Sequence, residues 1–67
     1  MIDRLKSLLR ERGLTQREFA TEIGISEITV SRYMHGVRSP SYSTTRAIAR
    51  YFGVTMEYIL GETDYKY

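Results

Sequence analysis

Three times in 67 residues the chain carries a glycine, then an apolar residue, then a threonine or serine: Gly13-Leu14-Thr15, Gly24-Ile25-Ser26 and Gly53-Val54-Thr55. Each triplet both ends one helix and starts the next. Glycine closes a helix because it takes the left-handed conformation cheaply. The hydroxyl two residues on accepts from backbone N–H groups that the next helix leaves unpaired. The apolar residue between them can staple onto the side chain five positions later, pairing Leu14 with Phe19, Ile25 with Val30 and Val54 with Ile59. Thr15 and Glu18 also make a full capping box. A chain punctuated this closely has room only for short helices joined by tight turns.

The remaining boundaries follow the same logic. Leu5, Leu8, Leu9 and Arg12 have helical spacing and precede Gly13, which gives a first helix. The second spans Gln16–Ile23 and the third Glu27–Met34, ending at His35-Gly36. Val37-Arg38-Ser39-Pro40-Ser41 is the only proline-containing loop. Ser41 caps a fourth helix whose Thr45, Ile48, Ala49 and Phe52 share one face. Thr55 caps a short fifth helix closed by Gly61. The expectation is one all-α domain of five helices over residues 1–61 and a frayed tail over 62–67.

Size and composition exclude whole classes of function. Scaling for this mass gives roughly 4,400 Å² of folded surface against about 11,300 Å² unfolded, enough for one small core and no deep substrate cavity. Without cysteine there is no disulfide or thiolate-metal site, and a reducing, cytoplasmic setting is expected. One histidine does not make a common metal ligand set, so neither metal nor cofactor is expected. No apolar run approaches the ~18 residues of a membrane span. His35 has no nucleophile at catalytic spacing and there is no glycine-rich phosphate loop, so an enzyme is set aside. The net charge of +2 is unevenly spread. Residues 37–52 carry Arg38, Arg46 and Arg50 with no acid, whereas 53–67 carry three acids against Lys66. A basic stretch followed by an acidic end suits a surface that faces a polyanion.

The second and third helices, joined by Gly24-Ile25-Ser26, have the anatomy of a helix-turn-helix. Ala20 allows close approach of the two helices, Gly24 permits the reversal, and Ile23, Ile25, Val30 and Tyr33 point inward. Together with Gly13-Leu14-Thr15-Gln16, Val30-Ser31-Arg32-Tyr33, Gly36, Arg38-Ser39-Pro40-Ser41, Ile48-Ala49, Phe52-Gly53-Val54 and Ile59-Leu60-Gly61, these residues resemble the Cro/repressor helix-turn-helix family, lambda-repressor-like. The likeness covers about residues 2–61. It implies a five-helix domain that binds double-stranded DNA, commonly as a dimeric repressor on a near-palindromic operator.

Within such a motif the third helix enters the major groove. At about 100° per residue, Val30, Tyr33, Met34 and Val37 lie on one side and Ile28, Ser31, Arg32 and His35 on the other, with Glu27 flanking. Glu27, Ile28, Ser31 and Arg32 are therefore the expected base contacts. Arg32 suits guanine, Ile28 a thymine methyl and Glu27 a cytosine amine. The resemblance assigns phosphate or neighbouring contacts to Gln16, and Arg17, Ser26, Arg38, Ser41 and Thr44 are expected to hold phosphates. Arg10, Arg12, Arg46 and Arg50 read as plain solvated charges. Many members of the family carry a buried Arg–Glu pair where this chain has Leu9 and Met34, so apolar packing is expected there instead. Met56, Ile59 and Leu60 are expected to face the core, leaving Tyr58 outside as the homodimer contact. The alternative is a protein-interaction module or antitoxin component on the same fold, which six tyrosines and a non-basic Val37 favour.

Overall fold

A computed structural model describes all of residues 1–67. Five helices follow one another: α1 (Ile2–Arg12), α2 (Gln16–Ile23), α3 (Glu27–Met34), α4 (Tyr42–Phe52) and α5 (Met56–Ile59), with no strand. The accessible surface is 4426 Å², close to the value expected from mass alone. Four helices begin as the sequence predicts. Thr15, Ser26, Ser41 and Thr55 each adopt extended backbone and accept, through the side-chain oxygen, from the N–H three residues on. The first helix has no side-chain cap, its N-cap being Met1.

The core is a single cluster drawn from all five helices and centred on Leu5, Phe19, Val30, Ile48 and Ile59, all fully enclosed. Phe19 of α2 stacks on Phe52 at 5.5 Å between ring centroids and meets Tyr51 edge-on at 6.0 Å. Leu9 and Met34 are both buried in this cluster, and α1 packs against α3. Apolar burial there carries no ion-desolvation cost. The one buried polar side chain, Thr45, donates to the Ser41 carbonyl at 2.9 Å.

The turn between α2 and α3 depends on Gly24, which sits at φ 85°. A Cβ there would meet no neighbour within 4 Å, so the cost of a side chain is in the backbone alone. Gly24→Ala is expected to lose about 1–2 kcal/mol of stability in denaturant unfolding. An unchanged midpoint would show that the turn relaxes out of the left-handed region.

Four expectations are corrected. Tyr58 is buried, only 5% exposed, while Leu60 is exposed and Met56 half-buried. A single helical turn cannot fix its own phase from sequence. Here α1 sets it, because the Arg4 guanidinium lies 4.4 Å above the Tyr58 ring. Val37 is exposed, since α3 ends at Met34 and helical phase no longer applies beyond it. Arg12 is not a plain solvated charge. It donates to the Phe52 carbonyl at 2.9 Å and lies over the Phe52 ring, tying the end of α1 to the end of α4. Nor is the tail frayed. Asp64 pairs with Arg4 at 2.7 Å, Lys66 with Glu11 at 2.6 Å, and the Thr55 N–H donates to the Lys66 carbonyl at 2.8 Å.

Candidate nucleic-acid interface

The third helix owes its exposed face to its burial pattern. Val30, Tyr33 and Met34 anchor it in the core, which leaves Glu27, Ile28, Arg32 and His35 in solvent and Ser31 half-buried. Ile28 is 64% exposed although it is a large aliphatic group in the first turn of a well-packed helix. Its exposure has no internal cause, because the neighbouring Val30 takes the core position. Glu27 is the first residue of α3, where a carboxylate is favoured by the helix dipole. From there Glu27 is able to accept from a base amine.

His35 continues the same row one turn further. Its Nδ1 lies 2.8 Å from the Ser31 carbonyl, which can only accept, so Nδ1 carries a proton. The ring is thereby fixed with Nε2 as its free nitrogen. This locked imidazole was not among the expected contacts. Spacing placed it on the row, but only the hydrogen bond reveals that its orientation is set.

The expected phosphate contacts lie at helix starts and in the loop before α4. Gln16 and Arg17 are the first two residues of α2 and both are exposed. Their N–H groups precede the first intrahelical bond and are open to an acceptor. Ser26 is exposed, but its hydroxyl is engaged by the Thr29 N–H at 3.1 Å and the Thr29 hydroxyl at 2.8 Å. At α4 the Ser41 hydroxyl accepts from the Thr44 N–H at 3.3 Å and donates to Thr44 Oγ1 at 3.1 Å. An anion accepts hydrogen bonds only, so the open hydroxyl proton at this helix start belongs to Thr44 rather than Ser41. Arg38 is exposed and lines a shallow groove of about 440 Å³ with Tyr33, Gly36 and the start of α1.

Electrostatics separates the cations into two sets. The ion pairs of the molecule are Arg4–Asp64 and Lys66–Glu11, both between α1 and the tail. Arg17, Arg32 and Arg38 have no carboxylate partner and keep their full charge for an outside anion. Of the eleven expected site residues, ten are exposed or half-buried, and Tyr58 alone is closed off.

The capping box also bears on acid stability. The Thr15 N–H donates to the Glu18 carboxylate at 2.9 Å, and this bond holds Glu18 below the ordinary carboxylate range. Because the folded value is depressed, the unfolded chain takes up the proton first. The contribution is therefore complete only above about pH 5, beyond the ordinary Glu value, and is lost as pH falls from there through the folded value. Glu18→Gln is expected to flatten the loss of thermal stability on acidification below that range. An identical acid limb in the variant would show that other carboxylates set it.

Comparison with known proteins gives a consistent picture. A family model described as helix-turn-helix matches residues 5–59. The chain is similar to the cryptic phage CTXphi transcriptional repressor RstR of Vibrio cholerae, 30% identical over 61 residues, covering 91% of this chain and 55% of RstR. It is 41% identical over 58 residues to the antitoxin PezA of Streptococcus pneumoniae, covering 87% of this chain and 37% of PezA. It is 30% identical over 61 residues to the transcriptional regulator ImmR of Bacillus subtilis, covering 91% of this chain and 48% of ImmR. The chain thus spans about half the length or less of these relatives. No solved structure matches it.

Proposed function

The chain belongs to the Cro/C1-type helix-turn-helix family, and on that premise we propose that it binds duplex DNA sequence-specifically and represses transcription. The observation that carries this reading is the pairing of a solvent-exposed Ile28 with an unpaired Arg32 on α3. An aliphatic group exposed among polar neighbours suits a thymine methyl, and a free guanidinium donates two hydrogen bonds to guanine. Glu27 accepts from a cytosine amine, and Ser31 contributes a hydroxyl. Gln16 and Arg17 at the start of α2, Ser26 at the start of α3, Arg38, and Ser41 and Thr44 at the start of α4 hold the backbone phosphates. At Ser26 and Ser41 the contact runs through main-chain N–H groups, their hydroxyls being committed to caps.

Two copies act together on a near-palindromic operator whose half-sites lie one helical turn, about 34 Å, apart. Such a role puts the protein in the cytoplasm with its DNA. The likeness to an antitoxin favours a second reading, in which the same fold serves as part of an antitoxin that engages a protein partner.

Selection of bound duplexes from a random DNA pool tests the proposal. The expected result is an enriched, two-fold symmetric site with guanine and thymine at adjacent positions of each half. No enrichment over the starting pool would overturn it in favour of the protein-partner reading.

A further inference from the structure

Four residues of α3 are assigned to bases above, but the middle of its exposed face belongs to a fifth. At about 100° per residue, Ser31, Ile28 and Arg32 span an arc of about 100°, and His35 falls inside it. Helical phase still holds there, because the His35 N–H donates to the Ser31 carbonyl at 3.0 Å. The imidazole is exposed, yet it is not free to turn. Its Nδ1 donates to that same Ser31 carbonyl at 2.8 Å, and the Ser31 hydroxyl lies 3.4 Å from Nδ1. The ring is thereby folded back along α3, towards the end that enters the groove. An exposed side chain already held in one rotamer loses little entropy on meeting a ligand.

We propose that His35 is a further specificity-determining residue, its Nε2 accepting a hydrogen bond from the exocyclic amine of an adenine or cytosine, a reading that rests on the DNA-binding function proposed above. With the proton on Nδ1, Nε2 is a bare acceptor. In the major groove N6 of adenine and N4 of cytosine donate, whereas O6 and N7 of guanine and O4 of thymine only accept. Guanine or thymine opposite Nε2 would set acceptor against acceptor, and both would lose the bonds that water gave them. A phosphate oxygen also only accepts, and is a wrong partner for the same reason. Arg32 has the opposite polarity, since a guanidinium only donates. His35 lies three residues beyond Arg32, about 4.5 Å along the helix, against a base step of about 3.4 Å. The two therefore ask neighbouring bases for opposite things, an acceptor edge under Arg32 and an amine under His35. Such a pair fixes the register of α3 on its site to within one base, which two donors in a row would not.

The test is selection from a random duplex pool with the parent chain, His35→Ala and His35→Lys. The parent is expected to enrich adenine or cytosine about fivefold at the position next to the guanine of each half-site. His35→Ala is expected to lose that preference alone. His35→Lys puts a donor at the same place and is expected to turn the preference to guanine. Residue 35 is exposed, so the variants keep the fold, which their thermal midpoints check. Nitrogen-15 NMR of the parent reads the tautomer directly. Nδ1 is expected to stay protonated and Nε2 bare, both free and on the selected duplex, with the Nε2 resonance shifted by the new bond. Unchanged base frequencies in His35→Ala, an equal loss of affinity on all sequences, or a proton on Nε2 in the complex overturns the inference. A parent chain that enriches no site overturns the DNA-binding reading as well, whereas one whose site is indifferent to residue 35 overturns this inference alone.

Discussion

Raising salt from 50 to 200 mM is expected to weaken operator binding about 500-fold. The figure follows from counterion release. If Arg17 and Arg38 of two copies, with the helix N-termini, neutralise about five phosphates, the logarithmic salt slope is about −4.5. The unpaired state of these arginines matters here, since a cation already bound to a carboxylate within the chain releases fewer ions from DNA. Two substitutions divide the affinity into parts. Arg38→Ala is expected to weaken every sequence alike and to lower the slope, whereas Arg32→Ala costs about 1–3 kcal/mol at one base position and relaxes the choice there. Filter binding or fluorescence anisotropy across a salt series reads both. A slope near zero would mean that α3 faces a protein and not a polyanion. Equal losses on all sequences for Arg32→Ala would remove it from the base-reading set.

Phe19→Ala is expected to leave the domain largely unfolded at room temperature. Phe19 is fully buried, and its ring packs between Tyr51 and Phe52 of α4. Truncating such a ring costs about 3–5 kcal/mol through lost transfer energy and the cavity left behind. A chain of this length has only about 3–10 kcal/mol in total. The loss falls on the helix that positions Gln16 and Arg17, so DNA affinity should fall with the folded fraction. Circular dichroism in a urea series gives the stability directly. A loss under about 1 kcal/mol would mean that Tyr51 and Phe52 collapse into the space.

What the sequence made legible was whatever is encoded within a few residues. Thr15, Ser26, Ser41 and Thr55 cap where their spacing says they should, because a cap involves only the next three residues. The buried faces of α1 and α4 were equally readable, since eleven residues give three turns over which a phase can be counted. Tyr58 was misplaced for the opposite reason. Four residues define one turn, and the neighbour that covers it, Arg4, is 54 positions away in the chain. The ties from Arg4 to Asp64 and from Glu11 to Lys66 span sequence separations of 60 and 55 and have no local signature. At the candidate site, spacing found the exposed row of α3, but the proton position on His35 and the engaged hydroxyls of Ser26 and Ser41 are properties of distances.

The hydroxyl caps have a consequence for how quickly the domain renews itself. With four of five helix starts specified by adjacent residues, most of the native structure can form before distant segments meet. Helical domains dominated by such local contacts fold in microseconds to milliseconds. Stopped-flow mixing is therefore expected to find refolding complete within the dead time or a few milliseconds. At that speed an opened molecule recloses before a protease can cut it, so its turnover follows the equilibrium population of open chains and not the rate of opening. The steady-state level of such a chain would then follow the stability that core residues such as Phe19 supply.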